Sequence, residues 1–185
     1  MSSQYAVNDA MLRAVESLGL ILDVKDAMSI YSSYIKAKNV GRRSRRLLAY
    51  ASLYTLIRLR HIPLTLTKFS EIVGVNARIL GACCKDILEV LGLRYSIDLE
   101  RYVDYIVEYI GTEYARQKAL GMLEYIKRID AIGGKNPIGV VGAIVCIVCD
   151  RDDPSKYMKD ISRLTGISTV TLKKRVKELY ELLFI

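Results

Sequence analysis

The sequence offers little to a transition metal: one histidine, His61, and four cysteines, Cys83, Cys84, Cys146 and Cys149. Cys146 and Cys149 form a CxxC, but no second CxxC completes a tetrahedral set, and both lie inside an apolar run. The four cysteines therefore read as buried, reduced thiols of a cytosolic protein, and neither a metal nor a cofactor is expected. A signal peptide is also missing, since "MSSQYAVNDAMLRAVESLGL" is polar and amphipathic, without an apolar core beside a small-residue cleavage site. The longest apolar run, Ile138 to Cys149, has twelve residues. A membrane span needs roughly 20, so this run reads as a buried core helix and no membrane is expected. Strict alternation of apolar and polar residues is absent, which argues against a sheet. No carboxylate pair at metal spacing, no nucleophile and base set and no phosphate loop appears, so the chain does not read as an enzyme.

What remains is apolar and basic. The 185 residues are 51% hydrophobic and 26% charged, enough for one large domain or two small ones with packed cores. Twenty-eight Lys and Arg against 20 Asp and Glu give a net charge of +8, which favours a polyanionic partner.

The chain also repeats itself. A shift of 92 residues places Gly19 on Gly111, Gly41 on Gly133 and Gly74 on Gly166 without a gap, and the apolar pattern follows. Two all-α copies are expected, residues 1–94 and 95–185, each of five helices. In the first copy these are Asn8 to Leu18, Val24 to Lys38, Ser44 to Arg60, Thr67 to Val73 and Ala77 to Leu91. In the second they are Glu100 to Ile110, Glu113 to Ile129, Pro137 to Asp150, Lys156 to Thr165 and Thr169 to Leu183. The helix from Pro137 is apolar nearly all round and should be the one the others pack around, with Gly139, Gly142 and Ala143 as a face that a neighbour can approach closely.

Each copy ends in a helix, a glycine turn and a second helix. In "KDISRLTGISTVTLKKRVKELY" Ile161 and Leu164 should point inward, Gly166 should form the turn and Ile167 plug it, with Ser168 or Thr169 capping the last helix. Leu172, Val176, Leu179 and Leu183 then form its inward stripe at i, i+4, i+7, i+11. The outward face carries Lys173, Lys174 and Lys177 together with Val170, an apolar residue either packed on the turn or left exposed for a purpose. Helix pairs of this shape often bind nothing, but from Lys156 to Lys177 seven cations stand against Asp160 alone. A second basic run, Lys36 to Arg60, holds eight cations and no acid in 25 residues, which suits a polyanion or an acidic protein surface better than plain solvation.

Together the tandem five-helix repeats, "GGKNPIGVVGAIVCIVC" and "DISRLTGISTVTLKKRVKEL" resemble the core of archaeal transcription factor B, the counterpart of eukaryotic transcription factor IIB. Gly134-Lys135-Asn136-Pro137 is similar to the family's Gly-Lys/Arg-Ser-Pro opening of the central helix. Val170-Thr171-Leu172-Lys173 is similar to its Val-Thr-Val/Ile-Arg recognition helix. In the first repeat, "VGRRSRRLLAYASLYTLIRLRHIPLTLTKFSEIVGV" resembles the family's Gly-Arg-Ser, Tyr, small-residue and Pro-x-Thr pattern. The resemblance implies two cyclin-like domains, each ending in a helix-turn-helix-like pair, that clamp the TATA-binding protein on promoter DNA. It implies that Val170 and Lys173 read bases, the valine against a thymine methyl and the lysine toward guanine. Lys135, Ser168, Thr169, Thr171, Lys174 and Lys177 would meet the DNA backbone, Lys135 beside a helix N-terminus. Arg42, Arg43, Arg45, Arg46 and Arg78 would meet DNA or the TATA-binding protein. A monomer in the cytoplasm of an archaeal cell, associated with the nucleoid, is the expected setting.

Three departures qualify this. The family opens with a zinc ribbon and a linker that reaches RNA polymerase. This sequence starts about where the core would, as a core cut from a longer protein or as a ribbon-less paralogue, so polymerase would be engaged only weakly or indirectly. "ARILGA" keeps only Arg78 of the family's basic Lys-Lys-Glu-Ile-Gly-Arg positions. Lys173 in place of arginine loses the bidentate fork. Beside the promoter-binding core, two other readings stay open: a regulator or decoy of the same fold that does not recruit polymerase, and a cyclin-type partner of another protein.

Overall fold

The computed structural model describes residues 2–38, 45–110 and 113–184, and among these it contains ten α-helices and no strand. The chain divides into two compact units, Met1–Ile97 and Asp98–Ile185. The first comprises α1 (Ser2–Ser17), α2 (Val24–Ala37), α3 (Arg45–Leu59), α4 (Leu66–Val73) and α5 (Ala77–Leu91). The second comprises α6 (Leu99–Ile110), α7 (Glu113–Arg128), α8 (Pro137–Cys149), α9 (Ser155–Thr165) and α10 (Thr169–Phe184). No helix among the described residues is long and apolar enough to cross a membrane.

In the first unit α3 is the central element, buried from Leu48 to Arg58 and packed against α1, α2, α4 and α5. Small residues make this possible: Ala49 and Ala51 are fully buried, and the Cys84 thiol of α5 reaches the Ala51 carbonyl at 3.6 Å. α4 is capped by Thr65, whose hydroxyl accepts from the Lys68 amide at 3.1 Å, and it ends at Gly74, whose φ of 66° is readily available only to glycine. Asn76 then caps α5. The helix whose start departs most from the sequence expectation is α1, which begins at Ser2 rather than Asn8. Val7 and Met11 are both in the core, so the buried face of α1 extends back beyond Asn8, and no proline or glycine interrupts the turn before it.

The second unit repeats the plan around α8, which is buried from Ile138 to Ile147. Pro137 occupies the first helical turn, and the Asn136 side chain accepts from the amides of Ile138 and Gly139 at 3.0 and 3.2 Å. α6, α7, α9 and α10 all pack on it. The small-residue face admits α10 and α9: a Cβ at Gly142 would lie 2.8 Å from Leu172 Cδ2 and 3.0 Å from Ile161 Cγ2. Of the four cysteines only Cys84 and Cys146 are fully buried. Cys83 lies on the flank of α5 and Cys149 is the last residue of α8, where the helix leaves the core, so both are half-exposed rather than buried as expected. All four thiols are free. Burial pushes the Cys84 and Cys146 thiols up to about 12 and Cys83 up to about 11, which disfavours the thiolate that metal and redox chemistry need.

Candidate nucleic-acid interface

The candidate interface is built by the pair α9 and α10. α9 ends at Gly166, at φ 71°, the turn's one position in the left-handed region. Ile167 follows and is buried, so the chain is pinned to the core immediately before α10 starts. The Ser168 hydroxyl accepts from the Thr171 amide at 3.1 Å and lies 2.8 Å from the Thr171 hydroxyl, which makes Ser168 the cap of α10. Leu172, Val176 and Leu179 are buried as the inward stripe and Leu183 packs partly against it. Everything else on α10 follows from that orientation.

Opposite the stripe, Val170, Lys173, Lys174 and Lys177 share one exposed face. Val170 is 77% exposed, which removes the reading that it packs on the turn. Thr169 and Ser168 are exposed at the helix start, and Thr171 is half-buried with its hydroxyl engaged on Ser168. Lys173 and Lys174 have no ion-pair partner among the described residues, whereas Lys177 faces Glu181 at 3.8 Å. The rest of the basic cluster is partly neutralised, with Lys156 near Asp150 at 3.8 Å and Arg163 near Asp160 at 3.6 Å.

Lys135 stands just before the α8 cap, half-buried, with its ammonium 3.7 Å from the Glu178 carboxylate. The α8 amides expected to join it on a phosphate are in part engaged already, since Asn136 accepts from two of them. Arg175 is only 16% exposed and hydrogen-bonds the same carboxylate. Burial alone would push the Glu178 carboxyl up, but the bond from Arg175 and the charges of Arg175, Lys135 and Lys174 outweigh it and hold its pKa below the usual carboxylate range. Sequence reasoning passed over Glu178. Its i,i+3 spacing to Arg175 is visible in the sequence, but its pairing with Lys135 joins the loop before α8 to the middle of α10 and has no local signature.

In the first unit Arg78 is exposed at the start of α5. Arg46 is exposed at the start of α3, and its Nε donates to the Tyr50 hydroxyl at 3.0 Å. Arg45 is half-buried beside it, and Arg42 and Arg43 lie outside the described residues. Three other members of the basic run are engaged within the unit: Lys38 donates to Asp86 at 2.6 and 2.8 Å, Arg60 to Asp26 at 2.7 Å, and Arg58 is buried with its guanidinium 5.0 Å from the Tyr95 ring.

Comparison with known proteins meets this geometry. The sequence profile of the Transcription factor TFIIB repeat matches residues 98–182, nearly the whole second unit. The chain carries a TFIIB repeat. The sequence resemblance to the transcription factor IIB family is thereby borne out, and the fold is the expected tandem of five-helix cyclin-like repeats. The likeness reaches across both units in curated relatives. Transcription initiation factor IIB of Pyrodictium occultum is 31% identical over 172 residues, covering 91% of this chain and 56% of that protein. The protein of the same name from Sulfurisphaera tokodaii is 28% identical over 175 residues, covering 91% and 57%. Transcription initiation factor IIB 2 of Thermoplasma acidophilum is 27% identical over 167 residues, covering 88% and 54%. The chain thus spans a little over half the length of these relatives, all of which are named as transcription factors rather than enzymes.

Proposed function

We propose that the chain acts in transcription initiation as a promoter-clamping core: it binds the complex of the TATA-binding protein with double-stranded promoter DNA and reads an upstream element by laying α10 of its TFIIB repeat in the major groove. The observation that carries this reading is the exposed valine beside exposed lysines at the start of α10. A 77% exposed valine set beside exposed lysines suits a base-reading helix. The methyls of Val170 suit a thymine C5-methyl, and Lys173, one turn on, suits guanine O6 and N7. Ser168, Thr169, Thr171, Lys174, Lys177 and Lys135 surround these two and would fix register on phosphates without reading sequence.

In this reading the division of labour follows the two halves, residues 1–94 and 95–185. Arg45, Arg46 and Arg78, with Arg42 and Arg43, serve contacts to DNA or the TATA-binding protein in the first half. RNA polymerase is engaged only weakly or indirectly by these two units, and the chain works as a monomer in the cytoplasm. The test is a gel-shift titration on a TATA-containing duplex, with and without the TATA-binding protein, using native and scrambled upstream flanks. A shift that needs both the partner and the native flank supports the reading. Lys173→Ala should then cost about 1 to 3 kcal/mol on the native flank and flatten the preference between flanks. Equal loss on both flanks would reduce Lys173 to a phosphate contact. Binding to DNA without the TATA-binding protein would favour an independent regulator, and no binding at low salt would favour a cyclin-type protein partner.

A further inference from the structure

Glu178 has an unusual position for an acid on a DNA-facing element. Its carboxylate accepts a hydrogen bond from Arg175 on its own helix and faces the Lys135 ammonium at 3.7 Å, across from the loop that opens α8. Lys135 and Glu178 have side chains 31% and 28% exposed, close enough to solvent for an outside anion to reach them. Lys174, on the outward face, feels the same carboxylate. One acid therefore faces three cations at the edge of the proposed interface.

We propose that Glu178 is an internal stand-in for a DNA phosphate: it holds Lys135 and Arg175 in the unbound repeat and yields Lys135 when a duplex enters. The inference rests on the proposed DNA-binding role and goes beyond it by assigning a residue that limits affinity. The two cations are not held alike. Arg175 is three residues away on the same helix, hydrogen-bonded and nearly enclosed, so it stays with Glu178 and fixes the carboxylate in place. Lys135 reaches across from another element at a longer distance on a flexible stem, so it is the one a phosphate can take. While the pair persists, Lys135 adds nothing to the charge that meets DNA, and the carboxylate repels the backbone as well. Since phosphate contacts are blind to sequence, such a brake lowers binding to every duplex equally and leaves discrimination to Val170 and Lys173.

Each phosphate neutralised adds about 0.9 to the slope of log affinity against log salt, or roughly 3.5-fold between 50 and 200 mM. Glu178→Gln, which no longer has to be displaced from Lys135, should bind native-flank and scrambled-flank duplexes about 3- to 10-fold more tightly at 50 mM salt, in the presence of the TATA-binding protein, a gain of the size of one phosphate contact. Lys135→Ala in the unaltered protein should weaken binding less than threefold, yet remove most of the gain when added to Glu178→Gln. Unchanged or weaker binding by a Glu178→Gln protein of native circular dichroism overturns the proposal, and so does a gain that survives Lys135→Ala. Should Glu178→Gln fail to fold, Lys135→Ala decides alone, because a loss of threefold or more would mean that Lys135 already meets phosphate unhindered. If the unaltered protein binds no duplex at all, the promoter reading itself falls and this inference with it, an outcome distinct from normal binding that Glu178→Gln does not tighten.

Discussion

The closeness of α10 to α8 can be tested one methyl at a time. Gly139 and Gly142 lie one turn apart on α8, the first facing α10 and the turn before it, the second facing α10 and α9, with different clearance. A Cβ at Gly139 would sit 3.5 Å from Thr171 Cγ2 and 3.7 Å from Ile167 Cγ2, ordinary van der Waals contact. At Gly142 it would sit 2.8 Å from Leu172 Cδ2 and 3.0 Å from Ile161 Cγ2. Leu172 and Ile161 are fully buried, and the Ile161 methyl is on a β-branched carbon with little rotamer freedom, so relief must come from a shift of the helices. Alanine recovers up to about 1 kcal/mol of helix propensity at either site, while overpacking a close-packed core costs about 1 to 3 kcal/mol. Gly139→Ala should thus be neutral or stabilising by up to about 1 kcal/mol, and Gly142→Ala should lie about 1 to 3 kcal/mol below it. Urea unfolding of the two variants of this chain, followed by circular dichroism, measures that difference directly. A Gly142→Ala protein as stable as Gly139→Ala would refute the packing argument.

The α8 cap and the α2–α5 tie give two further expectations. Asn136→Ala removes the side chain that accepts from the Ile138 and Gly139 amides and should cost about 1 kcal/mol, whereas Asn136→Ser should restore most of it; thermal melts of the pair check this, and equal melting points would show that the cap contributes nothing. The carboxyl of Asp86 is held below the usual carboxylate range by hydrogen bonds from Lys38 and from Tyr34, so its ionised form adds stability above about pH 4, and that stability is lost as pH falls through the lowered value. Melting temperatures of the native protein and Asp86→Asn should accordingly differ at pH 7 and converge toward pH 2.5, and parallel curves would show that the tie does not stabilise the fold. Tyr34 titrates the other way: burial first, then Asp86, push its hydroxyl up to about 12, so its share of stability is intact below about pH 10 and fades only in strong alkali.

Periodicity carried most of the fold because this fold is made of helices whose buried faces are continuous in sequence. The inward stripe of α10, the all-round apolar α8 and the glycine at the turn before α10 each depend on residues within a few positions of one another. Electrostatic partners do not obey that limit. The run from Lys36 to Arg60 looks in one dimension like an unopposed cationic surface, yet Lys38 finds Asp86 48 residues away, Arg60 finds Asp26 34 residues away, and Arg58 turns into the protein under Tyr95. For the same reason Lys135 reads as one more basic residue, and only the fold brings it to Glu178. Val170 was legible for the opposite reason: an exposed apolar side chain violates the helical pattern locally, and that local violation is visible without any tertiary knowledge.

The repeat supplies its own control for the surface of α10. Under the shift of 92, the buried stripe of α5, formed by Leu80, Cys84 and Ile87, falls on Leu172, Val176 and Leu179, and the exposed pair Lys85 and Glu89, 3.6 Å apart, falls on Lys177 and Glu181, 3.8 Å apart. The frame is therefore the same, down to an i,i+4 ion pair. The outward faces nevertheless differ: where α10 carries Val170, Lys173 and Lys174, α5 carries Arg78, Gly81 and Ala82. Gly81 is also spoken for, because a Cβ there would come within 2.9 Å of Leu66 on α4. Packing cannot account for the lysines of α10, since the same inward contacts are made in α5 without them. Both helices expose an apolar residue in their first turn, Ile79 on α5 and Val170 on α10, so what α10 adds on the same frame is the charge of Lys173 and Lys174, and that charged face is the one on which the proposed DNA reading rests.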